Sequence, residues 1–356
     1  MTAYHLHATL LPDGDEPTDL WVRDGRFTFE PIDGAEELVA GPAFALPGLV
    51  DCHAHTSIDV GGGSIERNLR AHLASGTLAL RDPGSPDGAP VAWQGREGFP
   101  RLQAAARFLA PEGRYNPGGQ WTAPADLAEA ATAHVRVGAS WVKVIADWGR
   151  YDKAAGKVTY PANYDAASLT RTVAAVHAAG GRVVVHCQGP EGAANVIAAG
   201  VDSLEHGDGL TLELLETMAA KGIAWTPTLA MTERLAAVTE RTEEARRRFA
   251  HERYDAARFL LPAAARLGVT ILAGTDLLPP GSIADEVESL TRHGLGPRAA
   301  LAAASTAARA YLGIPQIAEG APADLVVYAA DPRETVDILR RPSLVMLRGR
   351  RVSRAH

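Results

Sequence analysis

Apolar residues recur in this chain in two kinds of pattern, one at both ends and another through the middle. Residues 4–11 and 20–29 are short β-type runs separated by the polar turn Pro12-Asp13-Gly14-Asp15. Residues 324–328 and 343–348 repeat the pattern near the other end, with Gly349 in a hairpin position. Between these ends lie eight apolar runs, at 45–50, 77–80, 102–109, 141–145, 183–186, 203–205, 223–225 and 269–273. Most are followed by a helical stretch with readable ends. Asp165 is placed to cap a helix over 166–179 that Gly180 ends, and Pro190 and Gly200 bracket the next. Pro297 opens a helix over 298–312 and Gly313 closes it. Strand–helix alternation repeated eight times predicts an α/β fold, a (β/α)8 barrel of the TIM type over residues 46–315. The two β-rich ends, 1–45 and 316–356, predict one small β-sandwich domain built from both termini. An open, doubly wound sheet also fits the alternation.

Composition narrows the partners. The 356 residues are 46% hydrophobic and 22% charged, with a formal net charge of −7, as expected for a soluble domain that does not bind nucleic acid or an anionic membrane. Arg and Glu mix over 241–253, which reads as an exposed helix face. The first residues show neither a basic region nor a continuous apolar one, and no apolar run approaches the roughly 18 to 20 residues that span a bilayer. Two cysteines do not make a disulfide framework, so a cytoplasmic location is expected. Ala-rich outer helices are compatible with a homo-oligomer.

The polar residues that matter stand where apolar runs end, the place where barrel enzymes carry their reactive groups. The first run closes on Asp51-Cys52-His53-Ala54-His55. Alternation puts His53 and His55 on one side and Cys52 and Ala54 on the other. The pair reads as ligands of one cation, at about 2.0–2.1 Å per Zn–N bond, or as two ordinary histidines. Lys143 lies inside Trp141-Val142-Lys143-Val144-Ile145, where a charge is costly. It either snorkels to an edge or, as a neutral amine, adds CO2 to become a carbamate able to bridge two cations. His186 and His206 each stand where an apolar run meets a glycine-containing loop, as ligands or as core histidines. Cys187 should point away from His186, and the same alternation excludes Glu205 if His206 faces inward. Asp276, after Gly274 in the last run, reads alone as a helix cap. Taken together, five strand ends deliver His, His, Lys, His, His and Asp to one mouth, and separate structural explanations become a poor account.

These residues resemble the amidohydrolase superfamily over nearly the whole chain. Its barrel-opening motif reads here Pro47-Gly48-Leu49-Val50-Asp51-Cys52-His53-Ala54-His55, and Lys143, His186, His206 and Asp276 fall on the fourth, fifth, sixth and eighth strands. The stretch from Ile317 to Val327 looks like the family's return to its small β domain. Arg81-Asp82 and the segment Ala199-Gly200-Val201-Asp202-Ser203-Leu204-Glu205-His206-Gly207 are similar to the branch of imidazolonepropionase-like proteins and Xaa-Pro dipeptidases (prolidases). The loops after the second, fourth and seventh strands lack the Gly pairs and the tyrosine of the dipeptidases, so the scaffold carries over and dipeptide specificity does not.

The resemblance implies two divalent metals, expected to be zinc although other divalent ions fit. His53, His55 and Asp276 would hold one, His186 and His206 the other, with carboxylated Lys143 between them. It implies a metal-activated hydroxide attacking a small-molecule amide, with Asp276 and His206 as catalytic residues. Trp148, Arg150, Tyr151, Gln188, Thr228 and Asp208 follow strand ends and are expected in the substrate pocket. An N-acyl amino acid or dipeptide is the first expectation. A cyclic amide or lactam, deamination of a heterocycle, and a non-catalytic barrel scaffold follow in that order.

Overall fold

A computed structural model of the chain describes residues 3–58, 64–152, 157–239, 244–277 and 282–352, without the side chains of residues 151, 157, 236, 238–239 and 244–254. Both ends of the chain join one eight-stranded sheet. Ala3–Leu10 pairs antiparallel with Pro17–Arg23 and parallel with Phe44–Pro47, which pairs antiparallel with Leu325–Tyr328. Alternation along these strands turns Leu6, Ala8, Leu20, Val22, Leu325 and Val327 into a small core of their own.

Seven parallel strands follow one another in the second domain: Leu49–Asp51, Thr77–Asp82, Arg101–Ala104 with its continuation Leu109–Ala110, Trp141–Ile145, Arg182–Cys187, Ser203–His206 and Ala224–Thr226. A parallel bridge from Ala105 to Trp141 joins the third to the fourth. The eighth, expected at 269–273, is held by a single bridge of Ile271 to Trp225, with Leu272 N donating to Trp225 O at 2.9 Å. Cys52 N donates to Ala273 O at 2.8 Å and closes the ring between the eighth strand and the first. The fold is therefore a (β/α)8 barrel with a small β domain. Val50, Ala79, Trp141, Val184, Ala224 and Leu272 fill its interior, while Val142, Val144, Val183, Val185 and Leu204 pack outward in the core that includes Leu169, Val176 and Val196. Burial on both faces explains why these strands read as continuous apolar runs.

Three expected elements are divided. The run 45–50 breaks at Gly48: Phe44–Pro47 belongs to the small sheet and Leu49–Asp51 to the barrel. A Cβ at Gly48 would lie 2.3 Å from Leu78 Cδ1, so the crossing between domains requires glycine. The run 102–109 bends where Ala105 N bonds Asp82 O and Ala106 O accepts from Ser85 N. The helix expected over 298–312 is two, Pro297–Ala303 and Thr306–Tyr311. The carbonyls of Ala303 and Ala304 accept from Ala273 N and Val50 N, at 2.9 and 2.8 Å, which ties the break to the eighth and first strands. The other helix ends follow the sequence: the Asp165 carboxylate caps Ala166–Ala178, and Pro190–Ala199 stops on left-handed Gly200.

The domains are joined through buried Arg309, whose guanidinium donates to Gly48 O, Pro315 O and Asp324 Oδ2. Asp324 also meets Arg101 and accepts from Arg348 N. Among the described residues, no helix is long and apolar enough to cross a membrane.

Candidate metal centre

The first strand is regular only as far as Asp51, and residues 52 and 53 bend away from it. Strict alternation therefore does not carry to the histidines: Cys52 packs with Val50, Trp141 and Leu272 inside the barrel instead of opposing His53. Asp51 fixes the bend. Its carboxylate accepts from His53 N, Thr275 N and the Thr275 hydroxyl, at 3.0, 3.0 and 2.7 Å, tying the end of the first strand to the end of the eighth. Gly274 allows the two to approach, since a Cβ there would lie 2.7 Å from His53 Cβ. The turn expected of Gly274 is made by Asp276 itself, at φ 50°.

The mouth collects the predicted residues. Ligand-competent atoms of His53, His55 and Asp276 all lie within 4.8 Å of one another, and Asp276 Oδ1 is 3.4 Å from His53 Nε2 and 3.5 Å from His55 Nε2. The rings continue around the barrel: His53 to His206 at 5.4 Å between centroids, and His206 to His186 at 4.5 Å. Lys143 is fully buried on the fourth strand, with its Nζ against Glu205 Oε2.

Two imidazoles are hydrogen-bonded through Nδ1, and a third, His53, has its Nδ1 in close contact. His55 Nδ1 is 2.9 Å from Gly84 O, an atom that can only accept, so this nitrogen carries the proton. The Thr228 hydroxyl donates to Pro227 O and is 2.8 Å from His206 Nδ1, which makes His206 the donor there too. His53 Nδ1 lies 2.9 Å from Glu205 Oε1. That contact is short but bent, below hydrogen-bond geometry. The Nε2 atoms of His53 and His55 face Asp276.

Burial lowers the pKa of His53, and that of His55 to about 4, so both rings are neutral near pH 7. Burial alone would raise Asp276, but His53 and His55 outweigh it and hold the carboxyl at about 2. Burial also pushes the Lys143 amine well below its ordinary 10.5. Neutral imidazoles and an ionised carboxylate are protonation states that bind divalent cations, and burial shifts the amine toward its neutral form too, so the donor set fits a metal.

Glu205 corrects the sequence reading, which excluded it. Both it and His206 reach the site, because His206 sits at φ 67° and turns its ring into the mouth beyond the end of regular alternation. Thr228, at φ 51°, is buried against His206. Two further carboxylates, Asp82 and Asp147, brace the loops. Asp82 accepts from Thr56 N, the Thr56 hydroxyl and Gly84 N, with burial raising its pKa to about 6. Asp147 accepts from Gln188 N, Gly189 N and the Cys187 thiol, which points away from His186 as expected. An Asp at a strand end followed by a loop was the available signal.

Aromatic rings form one wall of the mouth. Trp148 lies 5.4 Å from His186 and 4.7 Å from Tyr115, and Phe108 lies 5.2 Å from Tyr115 and 5.9 Å from His55. Phe108 and Tyr115 flank the third strand's end and were not singled out in the sequence. Arg150 is exposed and bonds Gly113 O, Gln188 is partly buried beside Asp147, and the side chain of Tyr151 lies outside the described residues.

With this geometry in place, comparison with known proteins is direct. The model of the amidohydrolase family matches residues 44–352. The chain belongs to the amidohydrolase family. An uncharacterized protein of Mycobacterium tuberculosis is 36% identical over 362 residues, 97% of this amidohydrolase and 95% of that protein. Ochratoxinase of Aspergillus niger is 31% identical over 170 residues, 46% of this chain and 35% of its own, and its crystal structure aligns over 99% of this chain and 96% of that one with a TM-score of 0.79 at 22% identity. A crystal structure of a Xaa-Pro dipeptidase with bound methionine aligns over 99% and 100% of the two chains, with a TM-score of 0.83 at 20% identity. These structural likenesses show a shared fold.

Proposed function

We propose that this amidohydrolase is a two-zinc hydrolase that cleaves the C–N bond of a small-molecule amide, an N-acyl amino acid or a dipeptide. The observation that carries the reading is the convergence of His53, His55 and Asp276 within 4.8 Å of one another, with His206, His186 and Lys143 around the same mouth. In this reading His53, His55 and Asp276 would hold one metal, His186 and His206 the other, and carboxylated Lys143 would supply an oxygen to each. Carboxylation joins Lys143 Nζ to the carbon of CO2 and releases one proton from the nitrogen, turning a neutral amine into an anion with two oxygens.

When bound, the metals supply a Lewis acid and lower the pKa of water from about 16 toward 7. Asp276, ionised and facing both first-strand rings, accepts the proton of the attacking water and returns it to the leaving nitrogen. The wall of Phe108, Tyr115 and Trp148 favours amides with a ring or large apolar group on one side. The name Xaa-Pro dipeptidase supports an amide-type bond. Metal analysis of the purified protein, with a screen of N-acyl amino acids, dipeptides and lactams, tests the class. Asp276→Asn is expected to retain part of the metal and lose kcat by about 10²- to 10⁴-fold. Near-native kcat in that variant would remove Asp276 from the proton path.

A further inference from the structure

Beneath the histidines lies a charged layer that the reaction itself does not use. Arg81 points from the second strand into the barrel and is fully buried. Its guanidinium donates to Cys52 O on the first strand's end at 2.7 Å, to Ser203 Oγ at 2.9 Å and Glu205 Oε1 at 3.1 Å on the sixth strand, and to Thr226 Oγ1 on the seventh at 3.0 Å. It also lies 5.0 Å from the Trp141 ring centroid. Five strands thus hold one cation in one place, and that cation holds Glu205.

Glu205 in turn faces two of the candidate ligands with two different oxygens. Oε1 lies 2.9 Å from His53 Nδ1, and Oε2 is paired with Lys143 Nζ. We infer that Glu205, anchored by Arg81, is a positioning residue that fixes the Nδ1–H form of His53 and orients the side-chain nitrogen of Lys143, so that one carboxylate sets two metal ligands at once. The inference rests on the metal-ligand reading of His53 and Lys143 above. A carbamate would retain one N–H facing Oε2, while Oε1 lies 2.9 Å from the Nδ1 of His53. A glutamine at this position offers one acceptor oxygen and cannot serve both. Outer-shell partners of this kind change metal affinity by about 10- to 100-fold when removed.

The full-length protein labelled with ¹⁵N-histidine, without and with added zinc, provides the test. His53 is assigned by the signal lost in His53→Asn. Without zinc the wild type is expected to show His53 as the Nδ1–H form and Glu205→Gln to show mixed tautomers, with zinc affinity in chelator competition about 10- to 100-fold weaker. An unchanged tautomer together with unchanged zinc affinity in Glu205→Gln would overturn the inference. If Glu205→Gln does not fold because Arg81 is left without its counter-charge, the double variant Arg81→Met/Glu205→Leu removes both charges. Weak zinc binding by that folded double variant supports positioning. Native affinity in it would show a purely structural pair and overturn the inference. Wild-type protein that binds no zinc would instead refute the metal-centre reading, and the tautomer comparison would still decide the role of Glu205.

Discussion

Glu286 allows a stability experiment that reaches the site from outside. It lies on helix Ile283–Arg292, fully buried, and its two oxygens accept from Leu229 N at 3.0 Å and Ala230 N at 2.7 Å at the start of helix Leu229–Thr239. Those amides follow Thr228, the residue bonded to His206. Burial outweighs the two N–H bonds and raises the carboxyl from its ordinary 4.5 to about 8. A folded-state pKa above the unfolded one means that the folded chain holds this proton more tightly. The contribution is complete below about pH 4.5 and is lost as pH rises through about 8. At about 1.4 kcal/mol per pH unit across that window, the ceiling is about 5 kcal/mol. Glu286→Gln has no such titration, although it leaves one amide poorly paired at a cost of about 1–3 kcal/mol. Urea unfolding of both proteins between pH 5 and 9, compared as a difference at each pH, cancels every other titrating group. The wild type's advantage should be largest at pH 5 and shrink steadily toward pH 9. Parallel stability curves, or an advantage that grows with pH, would refute the reasoning and leave Glu286 an ionised cap.

Other perturbations test other joints. Lys143→Ala should lower metal content measured on the purified protein, with partial recovery on adding a short carboxylic acid; full occupancy and activity without it would end the carbamate proposal. Arg309→Met leaves Asp324 buried with Arg101 as its remaining cationic side chain, and should cost about 3 kcal/mol in urea unfolding, whereas a change within about 0.5 kcal/mol would show that this joint carries little of the fold. Trp148→Ala should raise KM for aryl amides about two- to tenfold more than for small aliphatic amides, and an equal effect on both would remove the aromatic wall from specificity.

Much of the architecture was legible because periodicity and burial coincide. Runs such as Val183–Val184–Val185 are apolar on both faces, and helices announced themselves through Asp165, Pro190 and Gly200. What could not be read was where one element yields to another. Gly48 separates two strands of different sheets inside one apolar run, and Ala303–Ala304 interrupt an unbroken alanine-rich helix pattern because their carbonyls serve neighbouring strands. Phe108 and Tyr115 reach the mouth from a bend and a loop, which have no period to betray a direction.

The failure over Glu205 has a more general cause. His206, Thr228 and Asp276, at the mouths of three successive strands, all adopt φ between 50° and 67°, which side-chain-bearing residues rarely do. Each such residue costs on the order of 1–3 kcal/mol and persists only where the surroundings over-determine it. The surroundings here do so: Trp225 Nε1 donates to His206 O at 2.9 Å, Glu286 holds the amides after Thr228, and Asp276 N donates to His53 O at 2.8 Å. A left-handed residue at a strand end breaks the two-residue rhythm at the point where a reactive group is needed. It lets consecutive side chains such as Glu205 and His206 both face the centre, one from within the barrel and one from its rim. Alternation is thus a good guide inside the strands and fails at their ends, because there the barrel sets the backbone against local preference and turns consecutive side chains toward its mouth.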